Sequence, residues 1–149
     1  PEVLSLPRLI DRFATQGKAG IVSVHQNSAA VIDSLVYCKF ANMAVAEEFF
    51  ARVLTAVTGE HFTADDLMMV GERVWTLERL YNLREGFTKE DDTLPARLLN
   101  EPVAEGPSEG FTVKLDPMLK EYYAFRGWDK DGVPTEAKLK ELGLDGLKK

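Results

Sequence analysis

Thr63-Ala64-Asp65-Asp66-Leu67-Met68-Met69-Val70-Gly71-Glu72-Arg73-Val74-Trp75-Thr76-Leu77-Glu78-Arg79-Leu80-Tyr81-Asn82-Leu83-Arg84-Glu85-Gly86 decides the fold class. Leu67, Val70, Val74, Leu77 and Tyr81 recur at spacings of three and four, the period of one face of an α-helix. Thr63 with Asp66 three residues later forms a capping box in which Asp replaces the preferred Glu or Gln, and Gly86 closes the run. Glu72, Arg73, Glu78, Arg79, Arg84 and Glu85 offer ion pairs on the remaining faces. Gly71 inside this pattern costs about 1 kcal/mol against alanine, so its place predicts close packing against another backbone. This is the longest predicted helix.

Working outward, the same period recurs on both sides. Leu4, Leu6, Leu9, Ile10 and Phe13 give an apolar face, with Ser5 as cap and Pro7 in the first turn, and predict a short helix to about Thr15. Gly17 separates it from a second helix carrying Val22, His25, Ala29, Ile32 and Val36. His25 on that stripe reads as a satisfied core or half-exposed histidine before it reads as catalytic. Val45, Phe49, Phe50, Val53, Leu54 and Val57 form a broad stripe that predicts a buried helix ending at Gly59.

Residues 87–115 hold little periodicity and four prolines or glycines between Glu101 and Gly110, and read as an extended loop. Such long loops are uncommon in compact domains unless they cover something, here the surface of another domain. Lys89-Glu90-Asp91-Asp92 reads as a solvated charge run rather than a cation site, with Asp91-Asp92 placed to cap the helical turn suggested by Leu94, Leu98 and Leu99. Asp116-Pro117 starts a helix that Gly127 ends, and Tyr122, Tyr123, Phe125 and Trp128 make it the aromatic-rich element, a packing role first of all. Thr135 caps a last short helix, Glu136 to Leu142, closed by Gly143, and Lys148-Lys149 is expected to fray. With no repeat and no alternating pattern, the class is all-α, one irregular multi-helix domain over residues 1–149.

Composition bounds the rest. A chain of 149 residues with 45% hydrophobic and 28% charged residues is ordinary for a globular domain. That size buries roughly two thirds of the surface exposed by the unfolded chain. No apolar run approaches the ~20 residues of a membrane span, and the first residues lack a secretory pattern, so the expected compartment is cytoplasmic. A net charge of −6 without a Lys/Arg cluster argues against a nucleic-acid partner.

One stretch carries chemistry: Val31-Ile32-Asp33-Ser34-Leu35-Val36-Tyr37-Cys38-Lys39-Phe40, which holds the single cysteine. On an unbroken helix, five residues turn the side-chain direction by about 140° and advance it by about 7.5 Å, so Asp33 and Cys38 serve one compact site only if the helix ends between them. A carboxylate in the last turn and a thiol on the departing loop then share one small region. The competing reading is a buried structural cysteine packed among Val36, Tyr37 and Phe40.

Asp33-Ser34-Leu35-Val36-Tyr37-Cys38 resembles the Asp-x-x-Gly-Leu-Cys motif of the tungsten- and molybdenum-containing aldehyde ferredoxin oxidoreductases. The likeness extends along the chain in order. Pro1-Glu2-Val3-Leu4 with Leu9-Ile10-Asp11-Arg12-Phe13-Ala14 resembles the start of that family's third domain, and Gly71 to Phe87 its longest shared run. Asp91-Asp92-Thr93-Leu94-Pro95 with Arg97-Leu98, and Tyr122-Tyr123 with Arg126-Gly127-Trp128-Asp129, continue it. The resemblance implies the C-terminal part of an enzyme that oxidises aldehydes to carboxylic acids. Its metal is a tungsten or molybdenum atom held by two pterin dithiolenes where three domains meet, and a 4Fe-4S cluster passes the electrons to ferredoxin. It implies Cys38 as a cluster ligand and Asp33, with Tyr37 beside it, as the pterin contact; thiolate is the usual protein ligand of such iron, and a carboxylate accepts from pterin N–H groups.

Val36 stands where the family has glycine and Tyr37 where it has leucine. Glycine would leave the helix in a left-handed conformation at no steric cost, so β-branched Val36 implies either a turn of different shape or a strained one. The family's other three cluster cysteines, second pterin motif and acid/base Glu and His have no counterpart among these residues. The expectation is therefore a C-terminal fragment, inert by itself and binding no cofactor alone. Its partners are the missing N-terminal domains, ferredoxin and the aldehyde substrate. The alternative is a non-catalytic helical binding or scaffold module derived from that domain.

Overall fold

The computed structural model describes residues 10–42 and 44–147. Among the described residues seven α-helices follow one another: α1 (Ala19–Ser34), α2 (Lys39–Asn42), α3 (Glu47–Thr58), α4 (Ala64–Arg84), α5 (Ala96–Asn100), α6 (Leu115–Phe125) and α7 (Glu136–Glu141). Among the described residues there is no sheet, only an isolated antiparallel bridge between Trp128 and Pro134. The all-α expectation holds.

The long helix sets the arrangement. α4 begins as its sequence predicts, with Asp66 N–H donating to Thr63 Oγ1 and Thr63 N–H donating to Asp66 Oδ2, at 3.1 and 2.8 Å. Its axis is crossed by α1 so closely that a Cβ on Gly71 would lie 2.2 Å from the Asn27 carbonyl oxygen. The backbone approach inferred from Gly71 is thus present, and it dictates the faces in contact. α1 buries Ala19, Ser23, Asn27, Ser28, Ala30, Val31 and Ile32, small or polar up to its last turns. Of the expected stripe, Ile32 is buried and Ala29 half-buried, whereas Val22, His25 and Val36 are exposed. α4 likewise buries Leu67, Gly71, Thr76 and Arg79, whereas Leu77 and Tyr81 of its apolar stripe are exposed. Large side chains cannot occupy a crossing this tight.

An apolar cluster closes one end of the crossing: Val31 and Ile32 of α1, Phe50 and Ala51 of α3 and Leu67 of α4, with Leu35, Val45, Leu54 and Phe62 packed around them. Full burial of an aliphatic or aromatic side chain such as Ile32 contributes about 2 kcal/mol. α3 is not the buried helix its stripe predicts. It ends as expected, in a left-handed Gly59, but only Phe50 and Ala51 are buried while Phe49, Val53 and Val57 face outward.

The opposite end is polar. Arg126 is 1% exposed and donates to Asn27 Oδ1 and Gln26 Oε1, both at 2.7 Å, and to Tyr122 Oη at 3.2 Å. Tyr122 Oη donates to Gln26 Oε1 and accepts from Trp75 Nε1, at 2.8 Å each. One guanidinium thereby ties α6 to α1, and Tyr122 adds α4.

Three further expectations are corrected. The predicted first helix falls partly outside the described residues, and its described part, from Ile10 onward, is a series of turns. There Asp11 accepts from Phe13 N–H through its side chain and from Ala14 N–H through its carbonyl, local bonds that compete with a helix. The 87–115 stretch is interrupted by a 3₁₀ turn at Lys89–Asp91 and by α5, whose capping position is Pro95 and not the Asp91-Asp92 pair. α6 starts at Leu115, with Asp116 inside its first turn and making no cap bond. α7, by contrast, starts at Glu136 behind Thr135, whose Oγ1 accepts from Lys138 N–H, as the sequence predicts. The expected fraying of Lys148-Lys149 lies outside the described residues.

Replacing Gly71 by alanine tests the crossing, because propensity and packing give opposite signs. Propensity alone would add about 1 kcal/mol of stability. Driving a methyl group into the Asn27 backbone should instead remove about 3 kcal/mol, read as a lower urea midpoint of the Gly71→Ala chain.

Candidate functional site

Ile32, 1% exposed in the apolar cluster, anchors the last turn of α1, and its neighbour Asp33 points away from that cluster to solvent. The helix then ends in a Schellman pair: Val36 N–H donates to the Asp33 carbonyl and Tyr37 N–H to the Ile32 carbonyl, both at 3.1 Å. The residue at the left-handed position of this motif is Val36, φ 54°, the one non-glycine with positive φ among the described residues. Left-handed geometry costs a non-glycine residue about 1–2 kcal/mol, and Val36, 93% exposed, gains little packing among the described residues that would offset it. Of the two shapes left open by the sequence, the turn is the strained one.

Cys38 follows on the loop before α2 as an exposed free thiol. The helix end therefore does fall between Asp33 and Cys38, as their spacing requires, and Cys38 is not packed within this chain. The Asp33 carboxylate is 2.9 Å from the Lys39 ammonium, both side chains about 60% exposed. Such a pair contributes under about 1 kcal/mol and leaves the carboxylate free to exchange partners. Tyr37 packs edge-on against Phe50, ring centroids 5.1 Å apart, while 41% of it remains exposed. Phe40 is 85% exposed. The sequence-predicted residues thus gather at one helix end, uncovered, with apolar side chains around a carboxylate and a thiol. Among the described residues no three of His, Cys, Asp and Glu converge to hold a metal ion. The donor set suits a contribution to a larger site: one soft thiolate, and one carboxylate able to accept from ring N–H groups. His25 is exposed on α1 and joins no such cluster.

A second constellation has no signature in the sequence. Asp92 is no solvated charge. Arg79, 8% exposed, donates to its two carboxylate oxygens at 2.9 and 2.7 Å and to the Gly132 carbonyl at 2.8 Å. Tyr123 donates its phenol to the same carboxylate, and burial together with that acidic neighbour raises the phenol's pKa above its ordinary value. Asp92, Tyr123 and Trp128 form a wall of a cavity of about 900 Å³ between α6 and the 89–117 segment, none of whose lining comes from residues 33–40. Lys89 is exposed as expected, along with Glu90 and Asp91, and pairs with Asp131 at 2.6 Å. These partners lie 13 to 53 residues apart, and no local pattern signals them.

A family model describing domains 2 and 3 of aldehyde ferredoxin oxidoreductase matches residues 1–144. The chain belongs to the aldehyde ferredoxin oxidoreductase family. The tungsten-containing aldehyde ferredoxin oxidoreductase of Pyrococcus horikoshii is 42% identical over 97% of this chain and 24% of its own length. That of Pyrococcus furiosus is 40% identical with the same coverage. A more distant relative, the WOR-like subunit of an aliphatic sulfonate oxidoreductase of P. furiosus, is 30% identical over 80% of this chain. The chain spans about a quarter of the length of the curated relatives it matches. In fold it resembles the active-site complex BamBC of benzoyl coenzyme A reductase in complex with 1,5-dienoyl-CoA, with a TM-score of 0.74 at 22% identity, over 93% of this chain and 21% of the other. The matched residues include both the motif at the end of α1 and the stretches that supply Arg79, Asp92 and Tyr123.

The raised Tyr123 pKa fixes a pH dependence. The phenol is neutral when protonated, so a folded-state pKa above 10.0 makes its contribution to stability complete below pH 10 and lost as the pH climbs beyond it. Urea midpoints should fall above pH 10 more steeply for the natural chain than for Tyr123→Phe. Absorbance at 295 nm should show one of the four tyrosines ionising only as the chain unfolds.

Proposed function

We propose that this chain is the part of a tungsten- or molybdenum-pterin oxidoreductase that supplies one ligand to a 4Fe-4S cluster, through Cys38, and one acceptor to the pterin, through Asp33, with Tyr37 flanking the same ring system. What carries this reading is the exposure of the Cys38 thiol immediately beyond a helix end whose last turn bears the open Asp33 carboxylate. A cysteine kept for packing is buried as a small hydrophobe, and this one is not. The full-length protein then oxidises an aldehyde to a carboxylic acid and passes the electrons through the cluster to ferredoxin, in the cytoplasm. When bound, the metal and its pterin supply the two-electron chemistry.

The chain's own residues hold and orient. Cys38 gives the cluster its thiolate, and Asp33 accepts from N–H donors on the pterin edge. The Lys39 ammonium, 2.9 Å from that carboxylate, must turn aside or share it when the pterin arrives. The Tyr37 ring, braced edge-on by Phe50, fixes the height of the loop above the apolar cluster. The uncovered Val36, Phe40 and Val57 side chains belong on this reading under the remaining domains of the same polypeptide, since large exposed patches mark interaction surfaces. Four thiolates are needed for the cluster, so the other three come from those domains. The competing reading, a helical scaffold without chemistry, gains only from Val36 and Tyr37 in place of glycine and leucine. It gives no reason for an exposed thiol and an open carboxylate at one helix end.

In the full-length protein, Cys38→Ser should lower iron per chain and abolish or convert the electron paramagnetic resonance signal of the reduced four-iron cluster; an intact, fully occupied signal would sink the assignment. Asp33→Asn should leave iron unchanged and reduce the pterin retained, measured as the fluorescent oxidised form released on denaturation.

A further inference from the structure

The cavity of about 900 Å³ between α6 and the 89–117 segment lies apart from the helix end that carries Asp33 and Cys38. Its volume is that of a small-molecule pocket, a range of about 300–1,000 Å³. Leu99, Val113, Leu115 and Leu119, all half-buried, wall it, and the buried Tyr123 and Trp128 lie deepest.

Charged side chains decide whether a ligand or another domain fills this space. Glu90, Lys114, Asp116, Lys120, Asp129 and Lys130 line the same cavity and are exposed, so they ring its mouth with both signs. The buried core of a protein interface is depleted in charged residues, because each would have to shed its water. The outward stripe of α3, with Phe49, Val53 and Val57, suits a docking surface; the mouth of the cavity does not. An apolar hollow behind a hydrated, charged mouth is the form of a small-molecule site.

Two groups that line the hollow are incompletely partnered. Asp92 Oδ2 receives an Arg79 N–H and the Tyr123 phenol, whereas Oδ1 receives a single Arg79 N–H and is open to one more donor. The indole N–H of Trp128, a residue 7% exposed, has no acceptor among the described residues. A hydroxyl group both donates and accepts, and so serves a carboxylate and an indole together. Four lysines and four carboxylates line the cavity, and with their charges cancelled they favour an occupant without net charge.

We propose that this cavity binds an uncharged, apolar alcohol or phenol, its body against Leu115, Leu119 and Trp128 and its hydroxyl group donating to Asp92. The site is independent of the roles given to Asp33 and Cys38.

The test is isothermal titration of the full-length protein at neutral pH with 2-naphthol and with its methyl ether. 2-Naphthol should bind once per chain. The ether keeps the apolar body and the accepting oxygen but has no proton to donate, and should bind about tenfold more weakly, the loss of one hydrogen bond to a charged acceptor. Ala124→Trp, at an exposed lining position on α6, and Val113→Trp, in the wall, should each fill the cavity and abolish binding. The thermal midpoint of the ligand-free protein shows that a variant is folded. Absence of binding to the natural full-length protein would mean that another domain occupies the cavity, and would overturn the proposal. Equal affinity for naphthol and ether would overturn it as well, as would undiminished binding by a folded tryptophan variant.

Discussion

The approach of the Gly71 backbone to the Asn27 carbonyl is the constraint on which the rest of the molecule depends. Two helices that nearly touch must present small side chains to each other, so α1 turns Ala19, Ser23, Asn27 and Ala30 inward and carries Val22 and His25 outward. The rotation of α1 about its own axis is thereby fixed. Asp33 lies two positions beyond Val31, which packs in the apolar cluster, and so emerges on the open side of the last turn. A looser crossing with larger side chains would permit other rotations, and a helix rotated by a third of a turn would bury the carboxylate. The presentation of Asp33 and Cys38 is in that sense decided upstream of both, where Asn27 meets a glycine that touches neither of them.

The same constraint shapes the second half of the chain. Close helix backbones leave little apolar area to bury, and the interior on that side is built from hydrogen bonds. Arg126 is buried with no carboxylate among its hydrogen-bond partners in the described residues; amide and phenol oxygens from Gln26, Asn27 and Tyr122 receive it, and the Trp75 and Tyr122 rings lie 5.8 and 5.5 Å from its guanidinium carbon. Desolvating a permanent cation costs several kcal/mol unless each donor is met, so these oxygens must hold their places. Arg79 meets the same problem with a carboxylate, Asp92, which draws the otherwise irregular 87–114 segment onto α4 and leaves the cavity between that segment and α6. Long loops lie on surfaces because their backbone polar groups need partners. Here two ion pairs, Arg79–Asp92 and Lys89–Asp131, and one phenol help tether the loop without burying it.

What was legible in the sequence follows from the range of each interaction. Caps and left-handed terminators are written within four residues, and Thr63 with Asp66, Gly59, Gly127 and Thr135 with Gly143 all stand where the sequence predicts them. Gly71 was legible too, because glycine weakens a helix interior and holds its place there when a second backbone needs the room of a missing Cβ. The buried faces of α1 and α4 were legible only in part. Hydrophobic periodicity assumes that contact faces are large and apolar, which holds for Ile32 and Leu67; at the glycine-mediated crossing small and polar side chains such as Ser23 go inside, while Leu77 and Tyr81 stay outside. α3 misleads for a related reason: its stripe is broad enough for two contacts and this chain satisfies one. Asp92 stands in a run of charges whose neighbours could not disclose an arginine thirteen residues away.

The site itself was legible in two different ways, and the difference bears on how far each residue can be pressed. That Asp33 and Cys38 serve one site only if a helix ends between them follows from helical geometry, and the structure adds that the thiol is exposed in this chain. The identities of what they bind come from the family likeness. Val36 belongs to neither source alone. Likeness marks it as a departure from glycine, and geometry shows that the chain keeps the left-handed turn glycine would have given, at a cost the chain does not recover by its own contacts. A substitution that altered the turn would have moved Tyr37 and Cys38 with it; one that keeps the turn changes only what stands above it. The helix end therefore holds the left-handed turn between the carboxylate and the thiol with a branched side chain standing on it.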